Sequence, residues 1–259
     1  MKEHEILEER IGFDAEGLRL EGVLAFPDTG APDTAFLVLA PHPHMGGTMD
    51  NNVVRHLARR GAAAGALTLR FNYRGTGASE IQLPPGKSVF DHFSEMEAQQ
   101  RYEELLPDAI GAFRALRGGL AQASLRDVPV PDLPPQAGGT GTSEYSRRAC
   151  PRLTRTVVVG YSLGAVIAGM LATEVSPTAV IAISPPVLRV PLTAYRKCAA
   201  PKCFVAGDDD FAFAWEVFLR EYEQLPQPKT YRRLEGCDHF FRREEDRVFQ
   251  AIADCIFGV

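Results

Sequence analysis

The chain has 259 residues, 45% of them hydrophobic and 24% charged, with a formal net charge of −5. A chain of this size and composition buries enough surface to fold without a metal or disulfide staple. An acidic chain with no basic run argues against nucleic acid as a partner, and the longest apolar run, Leu163 to Ala172, is about half the length of a membrane span. The N-terminal Met1-Lys2-Glu3-His4-Glu5 lacks the apolar run of a signal peptide. The five cysteines (150, 198, 203, 237 and 255) are scattered, with no C-x-x-C pair. Reduced thiols and a cytoplasmic setting are therefore expected.

Residues 9 to 26 alternate loosely around Asp14-Ala15-Glu16-Gly17 and predict an antiparallel hairpin at a sheet edge. Ala35 to Ala40 is a buried strand, followed by the loop Pro41-His42-Pro43-His44-Met45-Gly46-Gly47 and a helix over about 51–60 closed by Gly61. A strand at 66–71 leads into the turn Tyr73-Arg74-Gly75-Thr76-Gly77. A long helix is expected over 91–117, bent near Pro107. Residues 120–151 are rich in Pro and Gly and read as a surface insertion. Strands are expected at about 156–160, 179–184, 203–206 and 230–234. Helices are expected from 163 and over 211–224 and 241–257, with a short helical piece at 191–199. Such alternation predicts one α/β domain over 1–259: a mostly parallel, doubly wound sheet with helices on both faces.

In such sheets chemistry gathers at the carboxyl ends of the strands. The loops at 41–50, 72–90, 161–164, 184–200, 207–211 and 235–240 should therefore share one end. The 120–151 insertion joins a helix to a strand, so it belongs at the opposite end and is not expected to act as a lid.

The stretch that organises the chain is Thr156-Val157-Val158-Val159-Gly160-Tyr161-Ser162-Leu163-Gly164. A β-branched run enters G-x-S-x-G, and small apolar residues follow without Pro. This is the strand–turn–helix context in which the motif lifts a serine hydroxyl off the sheet. The bland alternative is a serine capping a buried helix, so a base and an orienting group must be found elsewhere. A serine needs a neighbouring base to take its proton. Of the six histidines, His42, His44 and His239 sit at the active end, and only His239 follows both other candidates in the chain. Between them Asp208-Asp209-Asp210 ends a strand, and a carboxylate there would fix the imidazole tautomer. One of the three acids caps the next helix in the bland reading. Asp210 is the preferred orienter, then Asp209.

An acyl-transfer site also needs two oxyanion donors. The first is the backbone N–H of Leu163. The second belongs to the loop after the 35–40 strand, at His44, or at Met45 if the turn is one residue longer. His42, Met45 and Tyr161 are candidate substrate-binding residues, and His42 is also expected to bond backbone and shape the oxyanion turn. The H-x-H spacing of His42 and His44 suits a metal, but no third ligand at close spacing completes a zinc set, so neither metal nor cofactor is expected. Gly75-x-Gly77 lacks the rest of a phosphate-binding fingerprint.

With these residues assembled, the sequence resembles the α/β-hydrolase superfamily, and within it the small cap-less, dienelactone-hydrolase-like serine hydrolases. The resemblance is carried by Ala40-Pro41-His42-Pro43-His44 with Gly46-Gly47-Thr48-Met49-Asp50-Asn51, by Leu69-Arg70-Phe71-Asn72-Tyr73-Arg74-Gly75-x-Gly77-x-Ser79, by Gly160-Tyr161-Ser162-Leu163-Gly164, and by Asp210 and His239-Phe240-Phe241. It implies the α/β-hydrolase fold and a Ser162, Asp210, His239 triad. Dienelactone hydrolases proper carry Cys as nucleophile, so their substrate is not carried over. The expected activity is hydrolysis of carboxylic esters or thioesters with small to medium acyl groups. The rival readings are a peptidase or amidase on the same residues and a non-catalytic interaction protein of the same fold. A small-molecule ester is the expected partner, and the sequence does not specify an oligomer.

Overall fold

The computed structural model describes residues 4–117 and 153–257; the 120–151 insertion and Cys150 lie outside them. The strands are β1 (Ile6–Ala15), β2 (Leu18–Pro27), β3 (Thr34–Leu39), β4 (Leu67–Phe71), β5 (Arg155–Tyr161), β6 (Ala179–Ile183), β7 (Lys202–Gly207) and β8 (Lys229–Leu234). The helices are α1 (Asn52–Ala63), α2 (Val89–Gln99), α3 (Leu106–Arg117), α4 (Leu163–Val175), α5 (Trp215–Glu223) and α6 (Glu245–Phe257). The strands form one eight-stranded sheet in the order β1-β2-β4-β3-β5-β6-β7-β8. β1 pairs antiparallel with β2, and β2 antiparallel with β4. Every pairing from β4 to β8 is parallel.

This is the doubly wound sheet with an N-terminal antiparallel hairpin that the alternation predicts. β5 runs between β3 and β6, and its residues from Thr156 to Tyr161 are buried. That explains its valines, since a strand covered on both faces has no polar side to show. β8 is the far edge, and Tyr231, Arg232 and Arg233 are exposed there, as an edge strand allows. Helices α1 and α6 pack together on one face, and α3 and α4 on the other. Among the described residues no helix is long and apolar enough to cross a membrane.

Several boundaries differ from expectation. α1 runs through Gly61 to Ala63. Gly61 is a packing residue, because an added Cβ would stand 2.8 Å from the Phe36 ring and 3.0 Å from the Thr68 methyl. The turn comes later, at Gly65 with φ +96°. The expected 91–117 helix is two helices. α2 ends at Gln99, and Gln100 caps it with the left-handed φ of 53° usually filled by glycine. A 3-10 turn over Tyr102–Leu105 follows, and Pro107 lies in the first turn of α3, where its missing N–H costs nothing. α5 starts at Trp215 rather than 211, and α6 at Glu245 rather than 241. Both delays leave longer loops at the carboxyl end of the sheet.

The cysteine expectation is corrected as well. Cys203 of β7 and Cys255 of α6 are joined by a disulfide with 6.5 Å between Cα atoms, while Cys198 and Cys237 are buried free thiols. The paired residues are 52 positions apart. Their neighbourhood follows from α6 docking on β7, which cysteine spacing does not reveal.

Candidate active site

β5 delivers its chain into α4 through a single residue. Ser162 has φ 55° and ψ −117°, a conformation L-residues avoid. Two contacts hold it there: its N–H donates to the Ile183 carbonyl at 2.8 Å, and its carbonyl accepts from Ala165 N–H at 2.9 Å. The flanking glycines make room. A Cβ on Gly160 would strike the Gly164 carbonyl, and a Cβ on Gly164 would strike the carbonyls of Leu39 at the end of β3 and of Ala40 just after it. Leu163 opens α4, so its N–H is a first-turn donor with no partner within the helix.

The loop after β8 brings His239 over this turn. Its Nε2 lies 3.1 Å from Ser162 Oγ, and its Nδ1 lies 2.8 and 2.9 Å from the two carboxylate oxygens of Asp210. An ionised carboxylate can only accept, so Nδ1 carries the hydrogen and Nε2 presents its lone pair to the serine. His239 and Asp210 are buried, so water competes little for the bonds between them.

The three adjacent acids divide their work. Asp208 Oδ1 accepts from Gly236 N–H at 2.7 Å and fixes the start of the histidine loop. Asp209 is exposed, and its N–H donates to the Cys237 carbonyl at 3.1 Å. Asp210 faces the imidazole and also accepts from Ala212 N–H at 2.8 Å. Tyr161 was a candidate for substrate contact. Its ring is buried, and its hydroxyl donates to the His239 carbonyl at 2.6 Å. It holds the histidine loop down, and burial pushes its phenol pKa up, so it stays a donor.

The loop after β3 folds into a 3-10 turn over Pro43–Met45. His42 caps it: Nδ1 accepts from His44 N–H at 3.1 Å, while the His42 carbonyl accepts from Met45 N–H at 3.0 Å. The His42 ring is buried, and Glu97 Oε2 lies 3.1 Å from its Nε2. Burial pushes the His42 pKa down against the pull of Glu97, which suits the neutral ring that the His44 N–H requires. With both nitrogens facing protein, His42 is directed to the loop and not to a ligand. Met45 is exposed at the turn, and the His44 ring packs on Phe90 at 4.5 Å.

Glu97 is the residue that sequence reasoning missed. Besides His42 it receives the Tyr102 hydroxyl at 2.8 Å and pairs with Arg189 from the loop after β6. Asn72, at the end of β4, accepts from Met49 N–H at 2.8 Å and ties that loop to the next strand. A lone glutamate inside a helix carries no motif, so nothing in the sequence singles out Glu97.

No protein-family model matches the chain. A Rickettsia prowazekii protein, described only as uncharacterised, is 23% identical over 261 residues, covering 96% of this chain and 89% of its own length. Among solved structures, an α/β serine hydrolase homologue from Coxiella burnetii is similar with a TM-score of 0.69 and 21% identity, covering 96% of this chain and 97% of that one. An α/β serine hydrolase without a lid from Xanthomonas campestris gives a TM-score of 0.65 and 20% identity, covering 97% and 94%. Together with the strand order, these likenesses define the fold: the chain has the α/β-hydrolase fold.

Proposed function

We propose that this protein is a serine hydrolase that cleaves carboxylic esters or thioesters through an acyl-enzyme. The observation that carries the reading is one imidazole bonded at the same time to Ser162 Oγ and to the Asp210 carboxylate. His239 Nε2 takes the Ser162 proton as Oγ attacks the acyl carbon, and Asp210 stabilises the imidazolium that forms. The proton then passes to the leaving oxygen or sulfur as the bond to the acyl carbon breaks. Water, deprotonated by the same nitrogen, attacks the acyl-enzyme and releases the carboxylic acid and the free serine.

The negative oxygen of each tetrahedral intermediate is assigned to the N–H groups of Leu163 and His44. The Leu163 donor stands at a helix N-terminus, whose dipole favours an anion. The His44 N–H is engaged at rest by a neutral ring nitrogen. A full negative charge is the stronger acceptor, so exchange toward the oxyanion is downhill. Met45 N–H closes the backbone turn and is the poorer candidate.

The loops at the carboxyl end, 40–51, 184–201, 208–214 and 235–244, are all described and short, and the longer stretch between β4 and α3 carries α2, which packs on the turn after β3. An open site of this kind favours small to medium acyl groups. Matched esters, thioesters and amides of one acyl group test the reading. Ester and thioester turnover should exceed amide turnover by at least about two orders of magnitude, and an amide cleaved as fast as the ester would replace the reading by an amidase.

The role given to the β3 loop has its own test. Glu97→Gln removes the charge that Arg189 and the His42 ring face. Hydrogen bonds to charged groups contribute about 1.5–3 kcal/mol, and a small displacement of a donor lowers the rate steeply. We expect kcat to fall about tenfold to a hundredfold with KM within about threefold. A lowered melting temperature with unchanged kcat would make Glu97 a stabilising residue only.

A further inference from the structure

Large apolar side chains are exposed in an uneven way. Of the seven among the described residues, Met45, Phe90, Leu188, Phe211 and Phe240 stand on loops, or on the first turn after a loop, at the carboxyl end of the sheet. Exposed apolar surface gathered around a polar centre marks a binding site. Two of the five touch the reacting group. Phe211 is 68% exposed with its ring centre 5.0 Å from that of His239, and Phe240 is 45% exposed with its ring centre 5.8 Å from both. Neither ring hangs on loose backbone. Phe211 follows Asp210, whose carboxylate is held by His239 and by Ala212 N–H, and Phe240 N–H donates to Asp238 Oδ1 at 2.9 Å.

The chemistry gives that side of the site its occupant. The tetrahedral carbon has four substituents. One is Ser162 Oγ, and one is the oxyanion at the Leu163 and His44 amides. A third is the acyl chain, and the fourth is the leaving atom. Apart from Ser162 Oγ, which already lies at 3.1 Å, only the leaving atom must come within hydrogen-bond reach of His239 Nε2, about 3 Å, to receive the proton. The carbons attached to it therefore start beside the imidazole, where the two phenyl rings stand.

We propose that Phe211 and Phe240 form the binding surface for the leaving alcohol or thiol, and that the enzyme selects esters whose leaving group is apolar, alkyl or aryl. This rests on the hydrolase reading given above. Selectivity arises because the exposed rings lose water when an apolar group covers them, and the hydrogen-bonded backbone that carries them needs little further ordering.

The test is a matrix of esters. One series holds the acyl group as acetyl and varies the alcohol through ethanol, butanol, hexanol and 2-phenylethanol. These primary alcohols have similar acidity, so intrinsic reactivity is nearly constant. The other series holds the alcohol as ethanol and lengthens the acyl group. In the wild type kcat/KM should rise about twofold to fourfold per methylene of the alcohol while contact lasts, the upper figure being a fully buried methylene. Phe211→Ala and Phe240→Ala should each flatten the alcohol series and leave the slope of the acyl series. Both side chains are exposed, so melting temperatures should stay close to wild type. A flat alcohol series in the wild type, or an unchanged slope in both variants, overturns the inference while esters are still turned over and Ser162 is still labelled by a fluorophosphonate. Loss of labelling and of all ester turnover in folded wild type instead removes the hydrolase reading, and the inference with it.

Discussion

Replacing Ser162 by alanine should lower kcat on a good ester by about 10⁵ to 10⁶-fold, the scale on which removal of an activated serine disables a three-residue unit. Position matters here as well as identity. Ser162 Oγ is 3.1 Å from an imidazole whose other nitrogen faces a buried carboxylate. Without the oxygen no acyl-enzyme can form, and only the imidazole and the surrounding contacts remain to assist water. The same position stores strain, since φ of 55° with ψ of −117° in a non-glycine residue costs on the order of 1–3 kcal/mol. Ser162→Gly should therefore be as inactive as the alanine variant yet melt a few degrees above it. Thermal unfolding of the two variants side by side checks this. If they melt together, the turn is not strained in the way its dihedral angles imply.

Asp210→Asn should lower kcat by about 10⁴-fold, with the fold intact. Asn keeps an oxygen for Ala212 N–H but can offer its amide N–H to His239 Nδ1. The imidazole then carries its hydrogen on Nε2 and cannot accept the serine proton. Asp209→Asn is the internal control. Its side chain is exposed, and a surface change of this kind stays within about 0.5 kcal/mol, close to twofold in rate. Steady-state kinetics on one ester distinguishes the two acids. Equal losses in both variants would mean that the carboxylates share the role.

The relation between sequence and structure follows from what each residue depends on. β5 and α4 are legible because burial on both faces demands β-branched residues, and close helix–strand approach demands Gly160 and Gly164. Ser162 and His239 are legible because the order of strands and helices assigns each loop to one end of the sheet. Asp210 is only half legible. Three acids in a row look alike, and the choice is made by side-chain partners at Gly236 and His239. Where a rule concerns residue type, exceptions hide. Gln100 takes a glycine's conformation and splits one expected helix into two. Contacts between distant positions leave no trace in a single sequence, and Glu97 with Arg189, like Cys203 with Cys255, belongs to that kind. Tyr161 stands in the expected region but bonds the His239 carbonyl, which a substrate-contact reading does not anticipate. His42 does what its loop position predicts: it bonds the His44 N–H and shapes the turn, with Glu97 at its other nitrogen.

The central claim is that residue 162 is an activated nucleophile, and intact-mass analysis after fluorophosphonate treatment tests it most directly. The wild type should gain one adduct, mapped to Ser162 by peptide analysis, and Ser162→Ala should gain none. A folded wild type that takes up no adduct would contradict the account, because a serine hydroxyl bonded to an imidazole that a buried carboxylate orients should react.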